Sequence, residues 1–354
     1  MSKKTKTLLT LSALPVIALL LFLSQELLNS YYSRIITLIG IYGIMAVSLT
    51  LVNGISGVFS LGHAGFIALG AYTSALLTLS PQQKEMTFLI EKLIWPLNSI
   101  QIPFFWATII AGLVAALFAF FIGWPSLRLT GDYFAIATLG FSEIIRIFAL
   151  NLNSITNGAL GLKALPDYSN VWWAWGWLLV TVACVMSLSY SSFGRALRAI
   201  REDRVAAQAM GINVFKHQLM AFVVGGFFAG ISGSLYGHWL STIDPRTNTF
   251  GILLTFNVLI MIVLGGLGSI TGAIIGGALF AFLSEWLRFL EGPMNLFGFK
   301  IVGMSGMRML VFSGLFVIIM IFWPRGIMGR SEFSWEGLVS LFREEKRNEP
   351  FDSR

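Results

Sequence analysis

Charge is what this sequence lacks most. Lys, Arg, Asp and Glu make up 12% of its 354 residues, against about 25% in an ordinary soluble domain. They are missing from blocks of roughly twenty residues, the length that crosses about 30 Å of hydrocarbon. With 56% hydrophobic residues and a mean hydropathy of +0.78, a water-exposed fold could not bury the apolar surface. Cysteine is almost absent too. The single Cys184 sits in an apolar block, excludes a disulfide framework and a cysteine-based metal site, and reads as a plain core residue. His63, His217 and His238 have no partner at metal-ligand spacing. No G-x-x-x-x-G-K-S/T occurs, and the glycine-rich GGLGSITGAIIGG (Gly265 to Gly277) has no lysine to reach a phosphate. No nucleophile–base constellation stands out. The chain is not an enzyme by itself and needs no cofactor of its own, so any energy source must come from a partner or a gradient.

What remains is an all-α polytopic membrane protein. Ten transmembrane helices fit the pattern, roughly 8–28, 35–52, 56–79, 104–123, 132–150, 172–190, 218–239, 250–267, 271–290 and 306–323, with eight to ten as the wider range. The basic start MSKKTK before an apolar run resembles a signal peptide. However, Ser24-Gln25-Glu26 is a poor cleavage site, so residues 1–30 read as an uncleaved first span, 31–330 as the transmembrane domain and 331–354 as a cytoplasmic tail. That tail could form an amphipathic helix on membrane lipid. Loops carrying Lys3, Arg128, Arg195 to Lys216 and the residues after Arg325 hold more than twice the Lys and Arg of the alternate loops (Arg34, Lys84, Lys92, Lys163, Arg246, Lys300). Both termini are therefore expected in the cytoplasm. The net charge of +7 is a topology signal, with no nucleic acid implied.

Glycine, by contrast, is abundant where a helix is required. GISGVFSLGHAGFIALGAYTSALL (Gly54 to Leu77) has five glycines in its first seventeen residues. Small residues let helices pack closely in lipid, and Ser56-xxx-Ser60 would give such a face. A broken helix at membrane depth is tolerated only when it is buried in protein or lines a wet cavity. Asn53, Ser56, Ser60, His63 and Gly65 are therefore candidate lining of a translocation pathway, or equally a tight packing seam; the readings are not exclusive. For His63 a structural hydrogen bond is favoured over substrate contact.

Two further stretches carry polar chemistry. In LTGDYFAIATLGFSEIIRIFAL, Thr130 and Asp132 can cap a helix start. Glu143 and Arg146, three apart on one face, should pair, since each would cost roughly 2.5–3.5 kcal/mol if isolated at the centre of a span. A structural pair is favoured over a proton relay. In FGRALRAIREDRVAAQAMGINVFKHQL, an inside helix from Arg195 to Met210 would place Ala196, Ala199, Ile200, Ala206, Ala207 and Met210 on one face with Asp203. Arg195, Arg198, Arg201 and Arg204 fan across the other, and Gly211 ends the helix as a C′ residue. An alanine face suits a protein groove better than an anionic lipid surface, so a cytoplasmic coupling helix docking on a partner is favoured.

At these residues the chain resembles a known family. GRALRAIREDRVAAQAMGINVFKHQL is similar to the ATPase-coupling loop of ABC importer permeases. SLGHAGFIALGAYTSAL, LTGDYFAIATLGFSEIIRI, TNGALGL and WPRGIMG match, in order, LivM-type permeases of branched-chain amino-acid importers, over about residues 35–330. One departure is Asn157, where the family has the second glycine of TGG. The resemblance implies a bacterial inner-membrane complex with a homologous LivH-type permease, two ATPase subunits that bind ATP, and a periplasmic substrate-binding protein. Within it, Arg195, Arg198, Arg201, Glu202, Asp203, Arg204, Ala207 and Gly211 would serve ATPase coupling. The same pattern is shared by importers of urea and short amides. The rival of a different class is an ATP-independent secondary transporter or channel, which would need an ionisable relay or filter.

Overall fold

A computed structural model describes residues 15, 18–27, 29–88, 91–129, 131–245, 247–291, 294–296, 299–301, 306–323, 325–329 and 331–332. The proposed cap Thr130 and the amphipathic tail after residue 332 lie outside the described residues.

Among the described residues, five helices are long and apolar enough to cross a membrane. They are Ser30–Ile55, which joins α2 (Ser30–Leu49) to a π-helical end at Thr50–Ile55, then α5 (Phe104–Ser126), α6 (Asp132–Asn151), α8 (Val171–Tyr190) and α11 (Val214–Leu240). Shorter apolar helices are α1 (Ala18–Leu27), α13 (Ile252–Gly265), α14 (Ile270–Trp286) and most of α15 (Met307–Phe322). α3 (His63–Thr78) and the short α4 (Pro81–Thr87), α7 (Asn153–Thr156), α9 (Ser192–Glu202), α10 (Arg204–Ala209) and α12 (Thr247–Phe250) complete the described helices. Strand is confined, among the described residues, to two antiparallel pairs: β1 (Leu162–Lys163) with β2 (Thr242–Ile243), and β3 (Met294–Leu296) with β4 (Phe299–Ile301).

Burial sorts centre from rim. The apolar windows of Ser30–Ile55 and α11 are 83% and 78% buried, whereas those of α6 and α8 are each 28% buried. α11 is the axis, packed on α3, α5 and α2. Its approach to α3 depends on a missing side chain: a Cβ on Gly70 would run into the Gly230 carbonyl. With no hydrophobic drive between helices in lipid, such backbone approach supplies the packing energy. Hydroxyls tie the same helices. Ser234 Oγ donates to Ser74 Oγ (2.7 Å) and pairs with Thr108 Oγ1 (2.9 Å), while Thr78 Oγ1 pairs with Nε2 of the fully buried His238 (2.9 Å). These four side chains and His238 join α3, α5 and α11.

The structure differs from the sequence expectations in three places. The third span does not start near residue 56. The chain leaves the π turn at Ser56 and re-enters a helix only at His63, so no Ser56-xxx-Ser60 helical face forms. Gly57 has φ +72°, in the left-handed region that stops a helix. Cys184 is exposed rather than in the core, because the rim of a membrane bundle is as apolar as its interior. The single inside helix is two, α9 and α10, broken at Asp203, whose φ of −151° and ψ of 111° are extended.

His238→Leu should remove the Thr78 tie between α3 and α11 and leave Thr78 Oγ1 bonded only to the Ser74 and Ala75 carbonyls of its own helix, at a cost of about 0.5–1.5 kcal/mol, the net worth of one hydrogen bond. Thermal unfolding of the detergent-solubilised protein should shift down by several degrees; an unchanged melting temperature would show that the tie is dispensable.

Candidate functional site

The break between α2 and α3 is built by side chains that replace helix hydrogen bonds. Asn53, in the π turn, clamps Ser60 through both groups of its carboxamide: Oδ1 accepts from the Ser60 N–H (3.1 Å) and Nδ2 donates to its carbonyl (3.2 Å). The Leu61 N–H donates to Thr138 Oγ1 of α6 (3.1 Å), and the Ala64 N–H, in the first turn of α3, to Thr255 Oγ1 of α13 (3.2 Å). Ser56 Oγ donates to the Val52 carbonyl (2.7 Å), Ser60 Oγ accepts from the Gly62 N–H (3.3 Å), and His63 Nε2 pairs with Ser48 Oγ of α2 (2.8 Å). Ser56, Ser60 and His63 are thus spent on the fold and are at most 2% exposed. Gly65 faces α6, where a Cβ would stand 3.0 Å from the Ser142 Cα. Of the five candidate lining residues, Asn53 borders a cavity of about 830 Å³ that also touches Gly54, Gly57, Arg201, Leu267 and Arg325.

Arg201 connects that cavity to the inside helices. Its side chain fills the space left beside Gly57, and Nη1 donates to the Gly54 carbonyl (2.8 Å), while Nη2 pairs with Glu202 (3.0 Å). The guanidinium therefore points into the bundle and does not fan outward with a charged face. Arg195 Nη1 and Arg198 Nη2 donate to the Tyr190 and Ser189 carbonyls at the end of α8 (3.2 and 3.0 Å). There they satisfy orphan acceptors and the negative end of the helix dipole.

Asp203 caps α10, its Oδ1 accepting from the Val205 and Ala206 N–H groups (2.8 and 2.9 Å). This break ends the expected common alanine face. Ala207 is 4% exposed and packs with Ile200 and Val214 of its own chain, whereas Val205 and Met210 are 75% and 82% exposed. Gly211 follows with φ +82°, the conformation anticipated for a helix-ending glycine.

Elsewhere the structure brings Glu143 and Arg146 together, Nε to Oε2 at 2.7 Å. Asp132 sits in the first turn of α6 without a side-chain cap bond, and the N-cap is Gly131. Asn157, the departure from the glycine pattern, has φ +61° and donates from Nδ2 to the Gly161 carbonyl (2.9 Å). Asparagine is the residue that best replaces glycine in that region. Lys84 of α4 is buried and donates to the Leu97 and Ile100 carbonyls of the loop that follows, and its burial lowers its pKa.

Sequence reasoning missed Thr138 and Thr255, and it missed the segment after α15. Ile327 and Met328 N–H groups donate to the Leu264 and Gly265 carbonyls at the end of α13 (2.9 Å each). The Glu332 carboxylate accepts from the Ile270 and Thr271 N–H groups at the start of α14 (2.7 and 3.1 Å). The only advance sign of this latch was WPRGIMG itself.

A family model described as the permease component of branched-chain amino acid transport systems matches residues 31–322. The chain is 32% identical over 329 residues to the high-affinity branched-chain amino acid transport system permease protein LivM of Escherichia coli (strain K12), covering 83% of this chain and 69% of that one. It is 27% identical over 343 residues to LivH of the same organism, covering 88% and 97%. A probable LivM of Methanocaldococcus jannaschii is 30% identical over 278 residues, covering 69% and 77%. No solved structure matches the chain.

Glu143→Gln should leave Arg146 charged and alone within the span, lowering the amount of protein in the membrane; Glu143→Gln with Arg146→Gln should recover part of it. Quantitative blotting of membranes checks this double-mutant cycle, and purely additive losses would mean the two side chains do not stabilise each other.

Proposed function

Because the chain belongs to the family of branched-chain amino acid transport system permeases, we propose that it forms half the translocation path of a binding-protein-dependent ABC importer of branched-chain amino acids. The single observation that carries this reading is the family match across residues 31–322. The likeness to both LivM and LivH of one organism supports a partnership with a homologous second permease. Two ATPase subunits that bind ATP and a periplasmic substrate-binding protein complete the complex, in the inner membrane of a bacterium.

Both termini lie in the cytoplasm in this reading, supported by the bias of Lys and Arg between loops. Ten spans follow if the shorter helices also cross. A helix of 16 residues such as α3 rises about 24 Å, short of the hydrocarbon thickness. The irregular segment 57–62, its backbone bonded by side chains, supplies the remaining depth.

Coupling to the ATPases falls to α9 and α10. The reading is supported by two exposed apolar side chains, Val205 and Met210, beside a turn that Asp203 and Gly211 hold in shape. Arg201 then carries displacement of these helices to the Gly54 carbonyl. Ala207 supports the turn from within, so its replacement would disturb the turn rather than the docking face.

In vesicles holding all the subunits, leucine should accumulate only with ATP and the binding protein; accumulation without ATP would favour a secondary transporter or channel. In the same vesicles Met210→Glu should cut uptake by at least about tenfold, the scale of losing an interface anchor, while the subunits' basal ATP hydrolysis persists. Wild-type uptake by that variant would remove Met210 from the docking face.

A further inference from the structure

A second cavity, of about 610 Å³, lies among α2, α11, α13, α14 and α15, within the roughly 300–1,000 Å³ range of small-molecule sites. It is at the end of the bundle opposite Arg201, where α2 begins and α14 ends. Its wall is aromatic and packed: the Tyr42 and Phe280 rings meet edge to face at 5.6 Å, and Phe280 and Phe312 at 4.8 Å. Its mouth carries both signs of charge. Glu285, with its side chain 14% exposed, pairs with the open Arg288 at 3.2 Å. Across the cavity Arg34 rests over the Trp239 ring, 5.0 Å from its centroid, and donates to the Trp239 carbonyl (3.1 Å).

The deciding feature is Asn257. It is the only amide side chain in the α13 sequence ILLTFNVLIMIVLG. It is half-buried, lines the cavity, and makes no hydrogen bond with any described residue. An amide in an apolar span is unfavourable unless something polar bonds it. The packing of α13 on α14 fixes its level. A Cβ on Gly276 would strike the Met261 carbonyl, so one turn back along α13 and one turn on along α14 Asn257 lies near Phe280, and Ser284 and Glu285 lie one turn closer to the mouth.

We propose that this cavity binds the transported free amino acid directly, as a zwitterion with an apolar side chain; the proposal rests on the importer reading above. The ammonium meets Glu285, the carboxylate meets Arg34 or Arg288, and the aliphatic side chain lies on the aromatic wall. Asn257 offers the next polar contact inward. A lipid acyl chain would satisfy the wall but neither the charges nor the amide, and an inorganic ion would have no use for the wall.

The test uses the whole complex in lipid nanodiscs without the binding protein, titrated with tritiated leucine. Saturable binding is expected. 4-Methylpentanoate, which lacks the ammonium, and 3-methylbutylamine, which lacks the carboxylate, should compete at least about tenfold less well, the scale of a lost charged hydrogen bond. Asn257→Ala should weaken leucine by about the same factor. Asn257→Phe, which narrows the cavity, should shift the leucine-to-valine uptake ratio in vesicles toward valine by about tenfold, the worth of one methylene in a tight pocket. A merely structural role would lower both uptakes together. If Asn257→Phe does not assemble, Asn257→Ala decides. The site is overturned if the wild type takes up leucine with ATP yet binds none saturably, if either analogue competes as well as leucine, or if Asn257→Ala binds as the wild type does. Failure of the wild-type complex to take up any branched-chain amino acid would instead overturn the importer reading.

Discussion

Everything in this bundle answers to one constraint: a backbone N–H or C=O in hydrocarbon must be paired inside the protein. A continuous helix satisfies it automatically. Between Ser56 and Gly62 this chain gives up the helix, and Asn53, Thr138 and Thr255 replace its bonds, while the Ser48–His63 pair fixes α3 against α2. The glycines of this stretch make the path possible: Gly57 turns the chain at φ +72°, and Gly65 lets α3 lie on α6. The polar side chains of this stretch are the solution to the break.

The same constraint organises the end where the basic loops gather. The last carbonyls of α8 are bonded by Arg195 and Arg198, those of α13 by Ile327 and Met328, and the first N–H groups of α14 by Glu332. Arg201 fits between these ends. Its side chain stands against Gly57, its Nη1 lies close to Gly268, and it bonds the Gly54 carbonyl. The helices proposed to face the ATPases and the broken helix at the centre of the bundle thereby share one rigid contact. A hydrogen bond from a charged donor in a partly dry site is worth about 1.5–3 kcal/mol, enough for the two elements to move as one.

Long-range organisation was legible where it left a mark on local sequence. Uncharged blocks marked the spans, the three-residue step from Glu143 to Arg146 marked their pair, and Gly211 marked a helix end. Three features could not be read that way. Which side of a span is buried leaves little trace when lipid is as apolar as the core, so Cys184 was misplaced. The break at Asp203 hides inside an unbroken helical periodicity, because an aspartate that caps looks like one that merely faces solvent. Glu332 lies 62 residues from the Ile270 N–H it caps, and Asn257 is conspicuous only once its lack of a partner is seen.

Arg201 locks the inside helices to the break through its bond to the Gly54 carbonyl. Distances between spin labels at Ala199→Cys on α9 and Phe59→Cys in the break, two exposed positions, in a Cys184→Ser background of the assembled complex, measure that lock. One narrow distribution should stay fixed when the ATPases are trapped with nucleotide, and a broadened, nucleotide-dependent one should appear once Arg201→Ala is introduced. A distribution that shifts with nucleotide in the otherwise unmodified protein, or one that Arg201→Ala leaves untouched, would contradict the lock.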